Sequence, residues 1–141
     1  MKKKFDFFTL KINDSPGKHT LTVAELKDYI DFDVARIYTI TDFKVKETGQ
    51  HCHYEEKEFF IVVQGGATAV IDRGNGLEEF LMKPGSAIYV PSYVWHGFKD
   101  ISQDAIILAA SSTNYRPDRS DYLDNYDEYL KIRDSKLNES R

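Results

Sequence analysis

Gly49-Gln50-His51-Cys52-His53-Tyr54-Glu55-Glu56-Lys57-Glu58 runs straight into the apolar stretch Phe59-Phe60-Ile61-Val62-Val63 and the turn signal Gln64-Gly65-Gly66. In extended backbone alternate residues share a face, so His51 and His53 project together while Cys52 points the other way. Two imidazoles on one strand face make half of a metal site or an acid/base pair, because imidazole both ligates metals and exchanges protons near neutral pH. A hairpin partner strand would bring Glu58 beside them. Cys52 reads as a small buried residue on the opposite face. Further on, Gly85, Pro91 and His96 mark a second segment, with Trp95-His96 opening a strand after the Pro91 turn.

Outward from this centre the chain is a series of short apolar runs. Residues 34–40, 58–63, 67–71, 77–81, 87–90 and 105–109 alternate or cluster as strands do, and residues 5–12 add an N-terminal strand. Turn residues separate them: Asp72-Arg73-Gly74-Asn75-Gly76, Lys83-Pro84-Gly85 and Pro91-Ser92. Such spacing implies an all-β antiparallel sandwich or barrel and argues against a parallel sheet interleaved with helices. Helix is expected over a turn or two at residues 23–29. It is expected again in the tail at about 120–133, where Tyr122, Leu123, Tyr126, Tyr129 and Leu130 recur at helical steps and Ser120 or Asp121 offers a cap. The expectation is one domain over 1–141, with a barrel at about 5–112.

Composition narrows the function. Nine Tyr, nine Phe and one Trp can fill a sizeable core, and 19 basic against 23 acidic residues argue against a nucleic-acid or anionic-membrane surface. A single cysteine excludes an internal disulfide framework and fits a reducing cytoplasm. The basic start Lys2-Lys3-Lys4 lacks the apolar run of a signal peptide, and no window approaches the ~20 apolar residues of a membrane span.

The two segments resemble the motifs of the cupin family. The first motif is His-x-His, four residues, Glu, six residues, Gly, and is met by His51, His53, Glu58 and Gly65. The second is met by Gly85, Pro91 and His96, although Tyr93 stands where it has glycine, and Asp100 where it ends in Asn. The resemblance implies a double-stranded β-helix, or jelly-roll barrel, followed here by the C-terminal α-helix.

From about residue 17 to 132 the chain looks like the nucleotide-sugar 3,4-ketoisomerases, a cupin group acting on dTDP-4-keto-6-deoxyglucose. The matching elements are Arg36-Ile37-Tyr38-Thr39-Ile40, Gly49-Gln50-His51-Cys52-His53, Tyr89-Val90-Pro91, Val94-Trp95-His96 and the tail Asp121-Tyr122-Leu123-Asp124-Asn125-Tyr126-Asp127-Glu128-Tyr129-Leu130. Departures are equally specific. Thr48 replaces the group's Arg, Tyr54 its Lys, Glu58 its Gln, and Lys18-His19 its early Arg-Gly pair.

This resemblance implies an isomerase with no metal or redox cofactor, in which His51 and His53 are the catalytic pair and His51 the proton shuttle. Arg36, Tyr38, Glu58, Tyr93 and His96 are the expected substrate-binding residues for a dTDP-linked 4-keto-6-deoxysugar. A homodimer, built by exchanging the N-terminal strand, is the expected assembly. Two alternatives stand beside it: a metal-dependent cupin enzyme using His51, His53, Glu58 and His96, and a non-catalytic sugar-nucleotide-binding cupin.

Overall fold

The structure is a computed structural model and describes residues 2–139. The chain begins with β1 (Asp6–Thr9), β2 (Lys11–Ser15) and β3 (His19–Val23), then a 3₁₀ turn at Leu26–Asp28. The barrel continues with β4 (Arg36–Ile40), β5 (Cys52–His53), β6 (Glu58–Gln64), β7 (Ala67–Asp72), β8 (Leu77–Met82), β9 (Ser86–Val90), β10 (Trp95–Lys99) and β11 (Ile106–Ser111). A short β12 (Tyr122–Leu123) precedes α1 (Tyr126–Glu139).

Two antiparallel layers face each other. One is ordered β1-β9-β6-β11-β4. The other is β8-β7-β10, extended by the bridge His51↔His96 to β5, which pairs with β12. Strand alternation turns Phe60, Val62, Ile88, Val90, Ile107 and Ala109 of the first layer toward Ala69, Ile71 and Phe98 of the second. Burying the Val, Ile and Phe side chains among them contributes about 1.5–3 kcal/mol each, and this is the core that holds the layers together. This is the cupin barrel expected from the motifs.

β9 is buried along its whole length, with no alternation. The reason is a second cover: Ala24, Tyr29, Ile30 and Phe32 pack over the outer face of β6 and β9 against Phe59, Ala87 and Tyr89. The outer face of the other layer is covered by α1, whose Tyr129 packs with Cys52 and Trp95. Cys52 therefore lies opposite the histidine face, as alternation requires.

Three local expectations are corrected. The N-terminal strand at 5–12 breaks at Leu10, which is buried and donates its N–H to Gly85 O; β1 pairs with β9 of its own chain, and β2 folds onto β3. Residues 23–29 form only the 3₁₀ turn, because Val23 is held in the β2–β3 hairpin. The tail helix starts at Tyr126 rather than near residue 120. Asp121 is occupied accepting the Glu55 and Glu56 N–H groups, Tyr122 pairs with His53, and Asn125 supplies the cap by accepting from Glu128 N. The helix then runs through Glu139, beyond the expected end.

The motif glycines have steric reasons. Gly65 sits at φ +71, and a Cβ there would lie 2.8 Å from Ala105 Cα. Tyr93, in place of the second motif's glycine, also takes a positive φ, of 66°. A tyrosine in this conformation is strained, so the backbone there keeps the form that a glycine would ordinarily supply.

Candidate active site

β5, β6 and β10 bring His53, Glu58 and His96 to one point inside the barrel, and the His51↔His96 bridge adds His51. Their ligand-type atoms all lie within 4.8 Å of one another. The His51 ring stands edge-on to His53 and His96, with centroids at 4.7 and 4.8 Å. A cavity of about 110 Å³ opens onto this cluster, bounded by Tyr38, Ile40, Thr48, Phe60 and Tyr122.

Glu58 is the hub. Its Oε1 lies 3.1 Å from His53 Nε2 and 3.2 Å from His96 Nε2, and Tyr38 donates its hydroxyl to Oε2. His96 Nδ1 lies 2.9 Å from Val94 O, which accepts its proton. Burial alone would raise the Glu58 pKa, but the bonds and charges of His53 and His96 outweigh it and hold the carboxyl well below the usual range. Burial raises Tyr38, reinforced by the adjacent Glu58 charge, so the phenol stays protonated.

The histidines are not equivalent. For His53, burial favours the neutral ring, yet the hydrogen bond and charge of Glu58, with Glu56 and Asp121 behind, raise its pKa. Its Nδ1 lies 3.4 Å from Asp121 Oδ2 but makes no hydrogen bond, while that carboxylate accepts the Glu55 and Glu56 N–H groups. His51 is pushed down to about 2, first by burial and then by the positive charge of its two imidazole neighbours. Among the described residues, neither His51 ring nitrogen has a hydrogen-bond partner, unlike Nε2 of His53 and both nitrogens of His96.

The other expected residues divide. Tyr38 faces the cluster. Arg36, of the same parity, sits at the lip, donating to both Glu56 carboxylate oxygens at 2.9 and 3.3 Å and stacking over the Tyr38 ring. Tyr93 is not brought to the cluster. Its backbone N–H is tied to His53 O at 2.8 Å, and the positive φ turns the ring outward beside Tyr54, into a separate cleft. Thr48, in the Arg position, uses its hydroxyl to accept from Phe98 N, so no cation stands there.

Three residues of the site escaped the sequence reading. Tyr122 packs its ring on His51 and His53 at 4.9 and 4.6 Å, and Arg119 covers its far face at 4.1 Å. Asp121 anchors the turn before β6. Glu56, buried and raised in pKa by burial and the Glu58 charge, bridges Arg36 and Thr113 and lies 3.8 Å from His53 Nε2. The signal was present for the first two: the Asp121-Tyr122 pair opens the tail signature but reads as helix by periodicity.

Residues 3–134 match the family described as FdtA: WxcM-like, C-terminal. The TDP-4-oxo-6-deoxy-alpha-D-glucose-3,4-oxoisomerase of Aneurinibacillus thermoaerophilus is 32% identical over 123 residues, covering 86% of each chain. Among solved structures, a His-to-Asn variant of the Thermoanaerobacterium thermosaccharolyticum 3,4-ketoisomerase, in complex with TDP-4-keto-6-deoxyglucose, superposes with a TM-score of 0.81 at 23% identity over 96% of this chain and 98% of that one. The Campylobacter jejuni TDP-quinovose 3,4-ketoisomerase gives 0.79 at 23% identity over 92% and 99%. At that identity these two show the fold, and the match over residues 3–134 together with the Aneurinibacillus relative shows the lineage: the chain belongs to the FdtA family of WxcM-like, C-terminal domains.

Proposed function

We propose that the protein is a sugar-nucleotide 3,4-ketoisomerase acting on a TDP-linked 4-keto-6-deoxyglucose, the class of substrate named for its relatives. The observation that carries the reading is the contrast between the histidines: His51 neutral and uncommitted, His53 held by carboxylates.

His51 takes the proton from C3, which the adjacent C4 carbonyl acidifies. The electron pair moves into the C3–C4 bond and the C4 oxygen becomes anionic. The C3 hydroxyl proton passes to the C4 oxygen as the C3 carbonyl forms, and C4 receives a proton from the His51 imidazolium, which returns to the neutral base. His51 is cationic only while the enediolate is anionic, so their attraction exists in the transition state and not in the ground state. Its low pKa keeps the base form available before reaction. His53, Glu58, His96 and Tyr38 fix the wall against which the sugar turns, and Arg36 and Arg119 at the lip suit the diphosphate. Among the described residues, no helix is long and apolar enough to cross a membrane. A cytoplasmic homodimer completes the proposal.

The test is incubation with TDP-4-keto-6-deoxyglucose in deuterated buffer. A 3-keto product carrying solvent label at C4 supports the reading, and no turnover with no label uptake overturns it.

One observation favours a second reading: the donor atoms of His51, His53, Glu58 and His96 sit close enough together to hold a divalent ion of the Mn, Fe, Ni or Zn class. Stoichiometric metal in untagged protein, lost with activity on replacing Glu58, would select it.

A further inference from the structure

The backbone of His51 is fixed: its N–H reaches His96 O at 3.0 Å and its carbonyl accepts from His96 N at 2.8 Å. Its ring is not aimed in the same way. Nε2 of His53 and both ring nitrogens of His96 are held by Glu58 or Val94, whereas the His51 nitrogens have no partner among the described residues. The torsion that turns an imidazole about its own bond has broad wells, so something besides the backbone must set this ring. The setting matters for a base that serves C3 and then C4, because a misplacement of about 1 Å can cost about 10²-fold in rate.

The aromatic neighbour that is not itself a histidine comes from the C-terminal tail. Tyr122 pairs with His53 across β5 and β12, which puts its side chain on the histidine face. Its ring lies 4.6 Å from the His53 ring at 69° and 4.9 Å from the His51 ring at 57°. The Arg119 guanidinium stands 4.1 Å from the centroid of the same ring. Tyr122 is therefore packed among two imidazoles and a cation, and the contacts are made by its ring rather than its hydroxyl.

The segment that carries Tyr122 is pinned on both sides. Before it, Asp121 accepts the Glu55 and Glu56 N–H groups at 2.8 and 3.1 Å, and its carbonyl accepts from Tyr54 N at 3.2 Å. Arg119 takes a φ of 59°, uncommon for a residue with a side chain, and its carbonyl accepts from Tyr122 N at 3.1 Å. After it, Tyr126 and Arg133 of α1 donate to the buried Asp72 carboxylate at 2.6 and 3.2 Å, and Tyr129 donates to Tyr93 O at 2.6 Å. The tail is thus fastened to the barrel at the one place where it reaches the histidines.

We propose that Tyr122 is a positioning residue for His51: its ring, delivered by the C-terminal segment, sets the orientation of the imidazole for proton transfer. The kinetic consequence rests on the ketoisomerase reading; the ring contact itself does not.

Tyr122→Leu and Tyr122→Phe in the full chain test it, with TDP-4-keto-6-deoxyglucose as substrate. Leucine keeps apolar bulk and loses the planar ring, so kcat should fall about 10²-fold with KM little changed. Phenylalanine keeps the ring and should recover the rate to within about tenfold of wild type, which a generally weakened fold would not do. A Phe variant as slow as the Leu variant would overturn the proposal, because the hydroxyl would then be the working group. So would a Leu variant with the wild-type kcat, or one whose whole loss lies in KM.

A second measurement needs no turnover. The His51 ring-proton resonances, assigned by their disappearance in His51→Asn, should show nuclear Overhauser contacts to the ring at 122 in the wild type and in Tyr122→Phe. In Tyr122→Leu they should lose their ring-current shift and broaden. Missing contacts in the wild type would overturn the proposal even if the Leu variant failed to fold. Contacts present without any turnover by the wild type would overturn the ketoisomerase reading and support the ring contact; normal turnover with His51 unmoved in the Leu variant would overturn the positioning role alone.

Discussion

His53 Nε2 and Glu58 Oε1 lie 3.1 Å apart inside the barrel, both side chains about 3% exposed, and His96 Nε2 approaches the same oxygen at 3.2 Å. His51, two residues from His53 on the same face, has no such bond to the carboxylate. One acidic residue therefore raises the basicity of its bonded partner while the base proposed for catalysis remains neutral. A carboxylate in an acid/base site would otherwise weaken a nearby imidazole base by favouring its charged form.

Glu58→Gln keeps the volume and one acceptor oxygen and removes the charge. Ketoisomerase activity should persist within about tenfold of wild type, against the 10²–10⁴-fold expected on losing a positioned acid/base group. His53 loses the Glu58 carboxylate, whose bond and charge are the largest of the contributions that raise it, while Glu56 and Asp121 remain, so the limb of the pH–rate profile governed by its proton should move to lower pH. Stability should fall by about 2 kcal/mol as the charge-assisted bonds go. An activity loss restored by added divalent metal would show that Glu58 is a ligand instead.

His51→Asn should lower kcat by about 10²–10⁴ with KM little changed, because in the proposed mechanism the ring moves the proton and does not hold the rest of the substrate. His53→Asn should also lower kcat, with a measurable loss of stability, since it leaves the buried Glu58 short of a donor. A His51→Asn rate equal to wild type at unchanged melting temperature would remove that residue from the mechanism.

Stability should pass through a maximum near the ordinary histidine pKa of 6.5. His51 is lowered on folding, so below 6.5 the unfolded chain binds a proton that the folded chain refuses, and stability falls on acidification. His53 is raised, so its contribution is complete below 6.5 and lost as pH rises through its folded value. Glu58, lowered from 4.5, contributes above that value and is lost as pH falls through its folded one, while raised Glu56 acts oppositely just above 4.5. Urea titrations of wild type and His51→Asn isolate the first effect: their difference should change by up to about 1.4 kcal/mol per pH unit below 6.5. A pH-independent difference would contradict the buried neutral His51.

Light scattering at micromolar concentration should give twice the 16.3 kDa chain mass. The outer face of the five-stranded sheet leaves Ile37 70% and Val63 50% exposed, an apolar surface suited to a second copy. Ile37→Lys should shift the mass toward the monomer. A monomeric wild type would refute the dimer.

The sequence by itself determined the barrel, because strand alternation and turn residues are local signals, and the His-x-His spacing alone puts His51 and His53 on one face with Cys52 behind. The motif spacing also named Glu58 and His96, which lie 38 residues apart and meet because β6 in one layer faces β10 in the other across the barrel interior. What only the tertiary structure decided was how protons are distributed. Whether a histidine is raised or lowered depends on burial and on which carboxylate reaches it, and both are set by strands far apart in the chain. The Asp121-Tyr122 segment was legible as helix and became a turn and strand, because its side chains find the Glu55 and Glu56 N–H groups and the histidine rings, contacts that no local periodicity encodes. Tyr93 was legible as a site residue and faces away, because a positive φ, invisible in the side-chain pattern, reverses the direction of its ring.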